Sequence, residues 1–356
     1  TLRTAIPAGW IFLTHGEVAI LGPCATAVNA ASFHCGLPVA GPFKATNHGR
    51  IDSAAFTCSV RIAGLGRCEF EAPALAPGSS ATLSLPPMHI DAESLVRVTE
   101  PRLARIEARV DGNGASCCRD ICLMSLYDWL CDPTAHATLS AFVLPRHPIV
   151  QGIVRDASAV LRGKGFDSFP ALLGSGRADA ERVSMEAVFN TLARDRSIKY
   201  VDPLEKTLPG GQRYQRIRVP EHIFVNSIES GTATCLDISL LMTACLENIG
   251  LMPLIFLLGK DRHRPTHAMT ACWAGATPGL RILIEDLPFL KREASCGHMI
   301  VVEAAGAADG FCDHKLNPGE AVTAAIARLN AAEWATAIDI GGVRPPYGVI
   351  TPMCAL

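Results

Sequence analysis

A cysteine, a histidine and a carboxylate, in that order along the chain, have the side-chain types of a thiol nucleophile, its base and the group that orients the base. The run Ser230-Gly231-Thr232-Ala233-Thr234-Cys235-Leu236-Asp237 places a good N-cap, Thr234, directly before Cys235. Asp237, three residues on, completes a capping-box-like pattern. The spacing predicts a helix over residues 235–249, ended by Gly250, with Cys235 as its first residue. At that position the unpaired N–H groups and the helix dipole favour a thiolate and offer an oxyanion hole. Asp237 opposes the dipole slightly, and its expected job is capping. The chain has fourteen cysteines. Several, such as Cys245 and Cys272, lie in apolar runs where cysteine acts as a small hydrophobe. Cys235 differs from them by its place after a Gly/Thr-rich turn at a helix start.

Of the eleven histidines, His267 is the best-placed base, because it opens a predicted strand (267–273) two elements after the helix. His263, four residues earlier, reads as a solvated loop residue. Glu303 ends the run Met299-Ile300-Val301-Val302-Glu303, where an unpaired carboxylate is costly. Asp286 competes as the acid, but it lies beside Glu285 in a run ending Leu287-Pro288, which reads as a strand exit.

Other constellations are weaker. Cys296-Gly297-His298 and Cys312-Asp313-His314 are two Cys-x-His pairs that together supply four zinc-ligand types, at tighter spacing than ordinary zinc signatures use. Cys117-Cys118, Cys122 and Cys131 form a looser group, and adjacent cysteines do not readily face one metal. Gly163-Lys164-Gly165 and Gly210-Gly211 lack a P-loop's lysine and hydroxyl placement. Gly174-Ser175-Gly176 lacks the context of a serine-nucleophile elbow. No metal or cofactor is expected. The densest basic stretch, residues 206–218 with Lys206, Arg213, Arg216 and Arg218, reads as an ordinary solvated loop. A net charge of −2 and a pI near 6.6 argue against direct nucleic-acid binding.

Stepping from these residues to the elements that must hold them, 356 residues suffice for two domains, and 49% hydrophobic residues for sizeable cores. The first 132 residues read as all-β. Short strands at 17–21, 55–62, 67–72, 81–85, 103–110 and 119–126 are separated by turns such as Asn47-His48-Gly49 and Asp111-Gly112-Asn113-Gly114. This spacing predicts an immunoglobulin-like antiparallel β-sandwich. Residues 133–356 read as α+β: helices at 149–162 and 178–194, the Cys235 helix, strands at 253–258, 267–273, 281–283 and 299–303, a helix at 318–329 and a strand at 334–340. The cysteine usage fits a reducing cytoplasm, and residues 10–13 are too few for a signal segment or a membrane span. Thr1 is not an initiator methionine, so the chain reads as trimmed or cut from something longer.

The order helix-with-cysteine, strand-with-histidine, strand-with-acid resembles the transglutaminase-like superfamily, whose catalytic domain is papain-like. The strings Thr234-Cys235-Leu236-Asp237, Leu246-Glu247-Asn248-Ile249-Gly250-Leu251-Met252-Pro253-Leu254, Thr266-His267-Ala268 and Val302-Glu303-Ala304 are similar to the bacterial module found beside superfamily-one helicase domains. Ser125-Leu126-Tyr127-Asp128-Trp129 and Arg344-Pro345-Pro346 extend the similarity outward. The resemblance implies Cys235 as nucleophile, His267 as base and Glu303 as acid. It also implies a protein or peptide substrate attacked through a thioester, by a protease first of all and by a transglutaminase or glutamine deamidase otherwise. A catalytically idle interaction module is the reading outside enzymes. Association with nucleic-acid-processing machinery, in an antiviral defence role, is a further implication. The segment Gly259-Lys260-Asp261-Arg262-His263-Arg264-Pro265 departs from the family's short Gly-His turn by being longer and more basic.

Overall fold

The computed structural model describes residues 9–112, 115–171, 179–204, 206–208, 211–225, 230–275, 279, 281–346, 348 and 350–353. The Gly174-Ser175-Gly176 loop, Gly210, Asn113-Gly114 and the first residue of the expected helix at 178–194 lie outside them. The fold is mixed α/β with several sheets. The chain divides into two compact units, Thr1–Asp128 and Trp129–Ala355, a few residues before the expected division at 132.

The first unit is built from a four-stranded and a six-stranded sheet. Alternating burial makes one face of each strand apolar: Phe56, Cys58, Val60 and Ile62 point inward along Phe56–Ile62, with Thr57, Ser59 and Arg61 between them. The sheets meet through these faces, and Phe43 of one stacks on Phe70 of the other at 5.5 Å. Besides the two-residue strands Ala27–Val28 and His89–Ile90 and the short helices Ala30–His34 and Ala92–Val96, which the all-β reading lacks, two longer strands escape the sequence reading. Trp10–His15 pairs antiparallel with Val18–Pro23, and Phe43–Asn47 lies between Val18–Pro23 and Ser80–Leu83. In Phe43–Asn47 the polar residues Lys44 and Thr46 alternate with inward Phe43 and Ala45, so no apolar run marks it.

The second unit centres on a five-stranded antiparallel sheet in the order Leu283–Ile284, Trp334–Asp339, Pro253–Gly259, Pro265–Trp273, Met299–Val302. Both faces are covered, which is why Pro253–Gly259 is almost continuously apolar. On one face Leu254, Phe256, Leu258, Met269 and Ala271 pack with Leu290, Ala325 and Leu329 from the helices Leu287–Ser295 and Pro318–Ala331. Against the other lies the helix Cys235–Asn248, where the Thr270 hydroxyl donates to the Ser239 carbonyl at 3.0 Å. The helices Pro148–Gly163 and Ala180–Asp195 also pack on this helix. It is therefore buried on every side from Cys235 to Leu246.

Asp286 follows the strand Leu283–Ile284, as its strand-exit reading expects, and the helix Leu287–Ser295 that begins there is not among the expected elements. Asp286 is its N-cap: Oδ1 accepts from Phe289 N–H at 2.9 Å, and Pro288 occupies the first turn.

Candidate active site

The chain enters the site through Ser230–Ala233, which pairs in parallel with Ser197–Tyr200 so that Tyr200 lies opposite Ala233. Gly231 permits this. A Cβ there would sit 2.1 Å from the carbonyl oxygen of Ile223. Gly231→Ala is therefore expected to push the strand aside and to destabilise the protein by about 1–3 kcal/mol. Chemical denaturation measures this, and an unchanged midpoint would contradict it.

Thr234 then caps the helix in a capping box, with its Oγ1 accepting from Asp237 N–H and Asp237 Oδ2 accepting from Thr234 N–H at 2.9 Å. Asp237 is fully buried. Burial raises its pKa; the Arg218 N–H at 2.8 Å, the Thr234 N–H and the Arg218 guanidinium at 3.2 Å oppose that rise. Arg218 is thus pinned to the Cys235 helix and is not part of a freely solvated loop. Its neighbours Arg213–Arg216 form a strand rather than a loop.

Cys235 is the first helical residue and is 4% exposed. The first intrahelical bond runs from Ile238 N–H to Thr234 O at 3.1 Å. The Cys235 and Leu236 N–H groups precede it and are available as oxyanion donors. Gln215 adds another donor: Nε2 gives one hydrogen to Thr234 Oγ1 at 3.1 Å, and its second N–H remains. A cleft opens here, lined by Trp129, Arg213, Gln215, Leu257 and Thr266 together with Cys235 and His267.

His267 and Glu303 are brought together by the pairing of Pro265–Trp273 with Met299–Val302. His267 Nε2 lies 2.7 Å from Glu303 Oε2, which leaves Nδ1 as the ring nitrogen that can serve Cys235, whose side chain helps to raise the imidazole pKa. Glu303 follows its strand as the N-cap of the short 3-10 helix Ala304–Ala307 and is fully buried. The same Oε2 accepts from Arg328 Nε at 2.7 Å. Asp286 does not join them, because Leu283–Ile284 and Met299–Val302 are opposite edges of the sheet.

Burial alone would lower the His267 pKa. The hydrogen bonds to Cys235 and Glu303, and their negative charge, overcome it and hold the imidazole up to about 9. The folded protein therefore binds this proton more tightly than the unfolded chain does. The associated stability is complete below the ordinary value of 6.5 and is lost as pH rises through about 9. If Cys235 attacks an amide, the imidazolium must protonate the leaving amine, and kcat/KM is then expected to fall as pH rises through about 9. Alkylation of Cys235 needs no such proton and should not fall there. A pH profile of both rates checks this, and a parallel decline would contradict it.

Tyr200, Phe311 and Arg328 complete the site, and none of them was singled out from the sequence. The Tyr200 phenol is close enough to Cys235 to feel its charge, and burial first, then that charge, raises its pKa and keeps it protonated. Phe311 stacks on His267 at 5.9 Å and 18°, meets Tyr200 edge-on at 4.9 Å, and carries the Arg328 guanidinium 5.3 Å from its ring centre. Tyr200 ends a strand too short to stand out. Arg328 looks like a surface cation on an amphipathic helix, although a buried Glu303 implies a second positive partner.

The two Cys-x-His pairs are not assembled. His298 Nδ1 pairs with Glu293 at 3.0 Å, His314 Nε2 with Glu320 at 3.5 Å, and Cys296 is the C-cap of Leu287–Ser295. Among the described residues no group of three or more His, Cys, Asp or Glu side chains is arranged to hold a metal ion. Cys117 and Cys118 alternate along Ser116–Leu123 and point to opposite faces. Among the described residues no helix is long and apolar enough to cross a membrane. No protein-family model matches the sequence, and a search of curated proteins finds no match.

Proposed function

We propose that this chain is a cysteine-dependent acyl-transfer enzyme of the transglutaminase-like kind, with peptide-bond hydrolysis as its reaction. One observation carries the reading: Cys235, at the capped N-terminus of a buried helix, shares a cleft with His267, which is hydrogen-bonded to the buried Glu303. On this reading the first unit is an immunoglobulin-like sandwich and the second a papain-like catalytic domain.

The Cys235 thiolate attacks the carbonyl carbon of a peptide or side-chain amide, and the oxyanion forms against the Cys235 and Leu236 N–H groups and Gln215. The imidazolium gives its Nδ1 proton to the departing amine, the C–N bond breaks, and a thioester remains. Water then loses a proton to Nδ1 and attacks the thioester, which releases the acid and restores the thiol. Glu303 keeps the ring oriented and its charge balanced throughout.

Mass spectrometry of a cell lysate incubated with wild type or with Cys235→Ala tests the assignment. New peptide N-termini that depend on Cys235 support hydrolysis. Glutamine-to-glutamate conversions or isopeptide cross-links in their place move the assignment to deamidase or transglutaminase. No Cys235-dependent product of any of the three kinds contradicts the enzyme reading.

A further inference from the structure

The hairpin that delivers His267 carries a concentration of positive charge at its tip. Pro253–Gly259 and Pro265–Trp273 pair so that Leu258 faces His267 and Gly259 faces Pro265. The tip is held close to its strands. Arg264 N–H donates to Asp261 O at 3.2 Å, and His263 N–H to Asp261 Oδ1 at 2.8 Å. At Gly259 a Cβ would lie 2.4 Å from the Arg264 carbonyl oxygen, so only glycine allows the closure.

Lys260, Arg262 and Arg264 are all exposed, and among the described residues none of them has an ion-pair partner. Against these three cations the tip offers one carboxylate, Asp261, in a chain whose net charge is −2. The charge is therefore a local departure from the chain's balance, and it stands beside the cleft, whose walls include Pro265 and Thr266 on this side and Arg213 on another.

We infer that this tip selects acidic peptide segments as substrates. The inference rests on the acyl-transfer reading of Cys235. Arg264 lies three residues before His267 in the strand direction, a distance of about 10 Å at about 3.3 Å per residue. An extended substrate advances by about the same step, so its Asp or Glu side chains belong about two to four residues from the reactive carbonyl. Exposed cations act chiefly by steering and selecting among partners, with modest energy per pair. A peptide fits better than a nucleic acid, because residues 260–264 include no Phe, Tyr or Trp on which a base could stack, His263 being their one ring, and the chain's net charge is −2.

The test uses the full chain and two electrophilic peptides, chloroacetyl-Gly-Glu-Glu-Glu-amide and its glutamine counterpart. In either case the Cys235 sulfur displaces chloride from the chloroacetyl carbon to give a thioether, which is quantified by peptide mass mapping. Each rate is normalised to the same protein's rate with iodoacetamide, a small neutral reagent. The glutamate peptide is expected to react about tenfold faster than the glutamine peptide at low salt, with the ratio shrinking as salt screens the charges. In Lys260→Gln/Arg262→Gln/Arg264→Gln the ratio should fall to about one, because the steering charges are gone.

Equal peptide rates in the wild type, alongside fast iodoacetamide labelling of Cys235, would overturn the substrate assignment and leave the thiol chemistry standing. Slow iodoacetamide labelling of Cys235 would overturn both. Stronger protection of Cys235 by a single-stranded oligonucleotide than by a non-reactive glutamate peptide of equal charge would also overturn it, in favour of nucleic acid.

Discussion

Alanine at Cys235 is expected to abolish turnover, with a loss of at least about 10⁴-fold, while the protein stays folded. The chemical side follows from the position. Cys235 shares its cleft with an imidazole, His267, that is in turn held by the buried carboxylate of Glu303. The structural side follows from size, since methyl for thiomethyl is a small change at the first turn of the helix. The cap does not depend on it, because Thr234 and Asp237 satisfy each other. Activity assay and thermal unfolding together decide the matter. Lost activity with a melting temperature shifted by only a few degrees is expected. Residual turnover near wild type would mean that the reacting group is elsewhere.

Glu303→Ala is expected to damage both activity and stability. The carboxylate is fully buried and its Oε2 serves His267 and Arg328 together. Its removal leaves the imidazole N–H facing a void and strips the charge that holds the His267 pKa near 9. Burial, which lowers that pKa, then dominates, and the thiolate–imidazolium pair becomes harder to form at neutral pH. Turnover should fall about 10²–10⁴-fold, and unfolding free energy by about 3–5 kcal/mol, as when one member of a buried pair is deleted. Glu303→Gln retains an oxygen that can accept from Nε2–H, so it should recover part of the stability but little of the activity. Denaturant titration beside kcat measurement separates the two. Equal recovery of both would contradict the electrostatic role assigned to Glu303.

These effects explain why some of the site was readable from sequence. Thr234 and Asp237 announce a helix start through a local rule that holds without knowledge of the fold, and the charge of Glu303 in an apolar run demands a partner wherever the strand lies. Asp-Leu-Pro after Leu283–Ile284 marks both a strand exit and a helix cap, and the helix it starts is fixed by the packing of Leu290 and Ala294 into the sheet. Tyr200 and Phe311 had no local signature at all. Tyr200 reaches the thiol through a parallel pairing between segments thirty residues apart, 197–200 and 230–233, and Phe311 sits in a loop that only tertiary structure folds over His267. In the first unit Phe43–Asn47 has few inward apolar residues among polar ones and the two-residue strands are too short for any pattern, whereas Trp10–His15 opens with an apolar run that does signal a strand.

Competitive alkylation tests the central claim most directly. The intact protein is pulsed with iodoacetamide at mildly acidic pH and every cysteine is quantified by peptide mapping. Cys235 should react faster than any other cysteine, despite being buried, and His267→Ala should bring its rate down to theirs. If Cys235 reacts no faster than the rest, or if His267→Ala leaves its rate unchanged, the thiol of this site is a packing group and not a nucleophile.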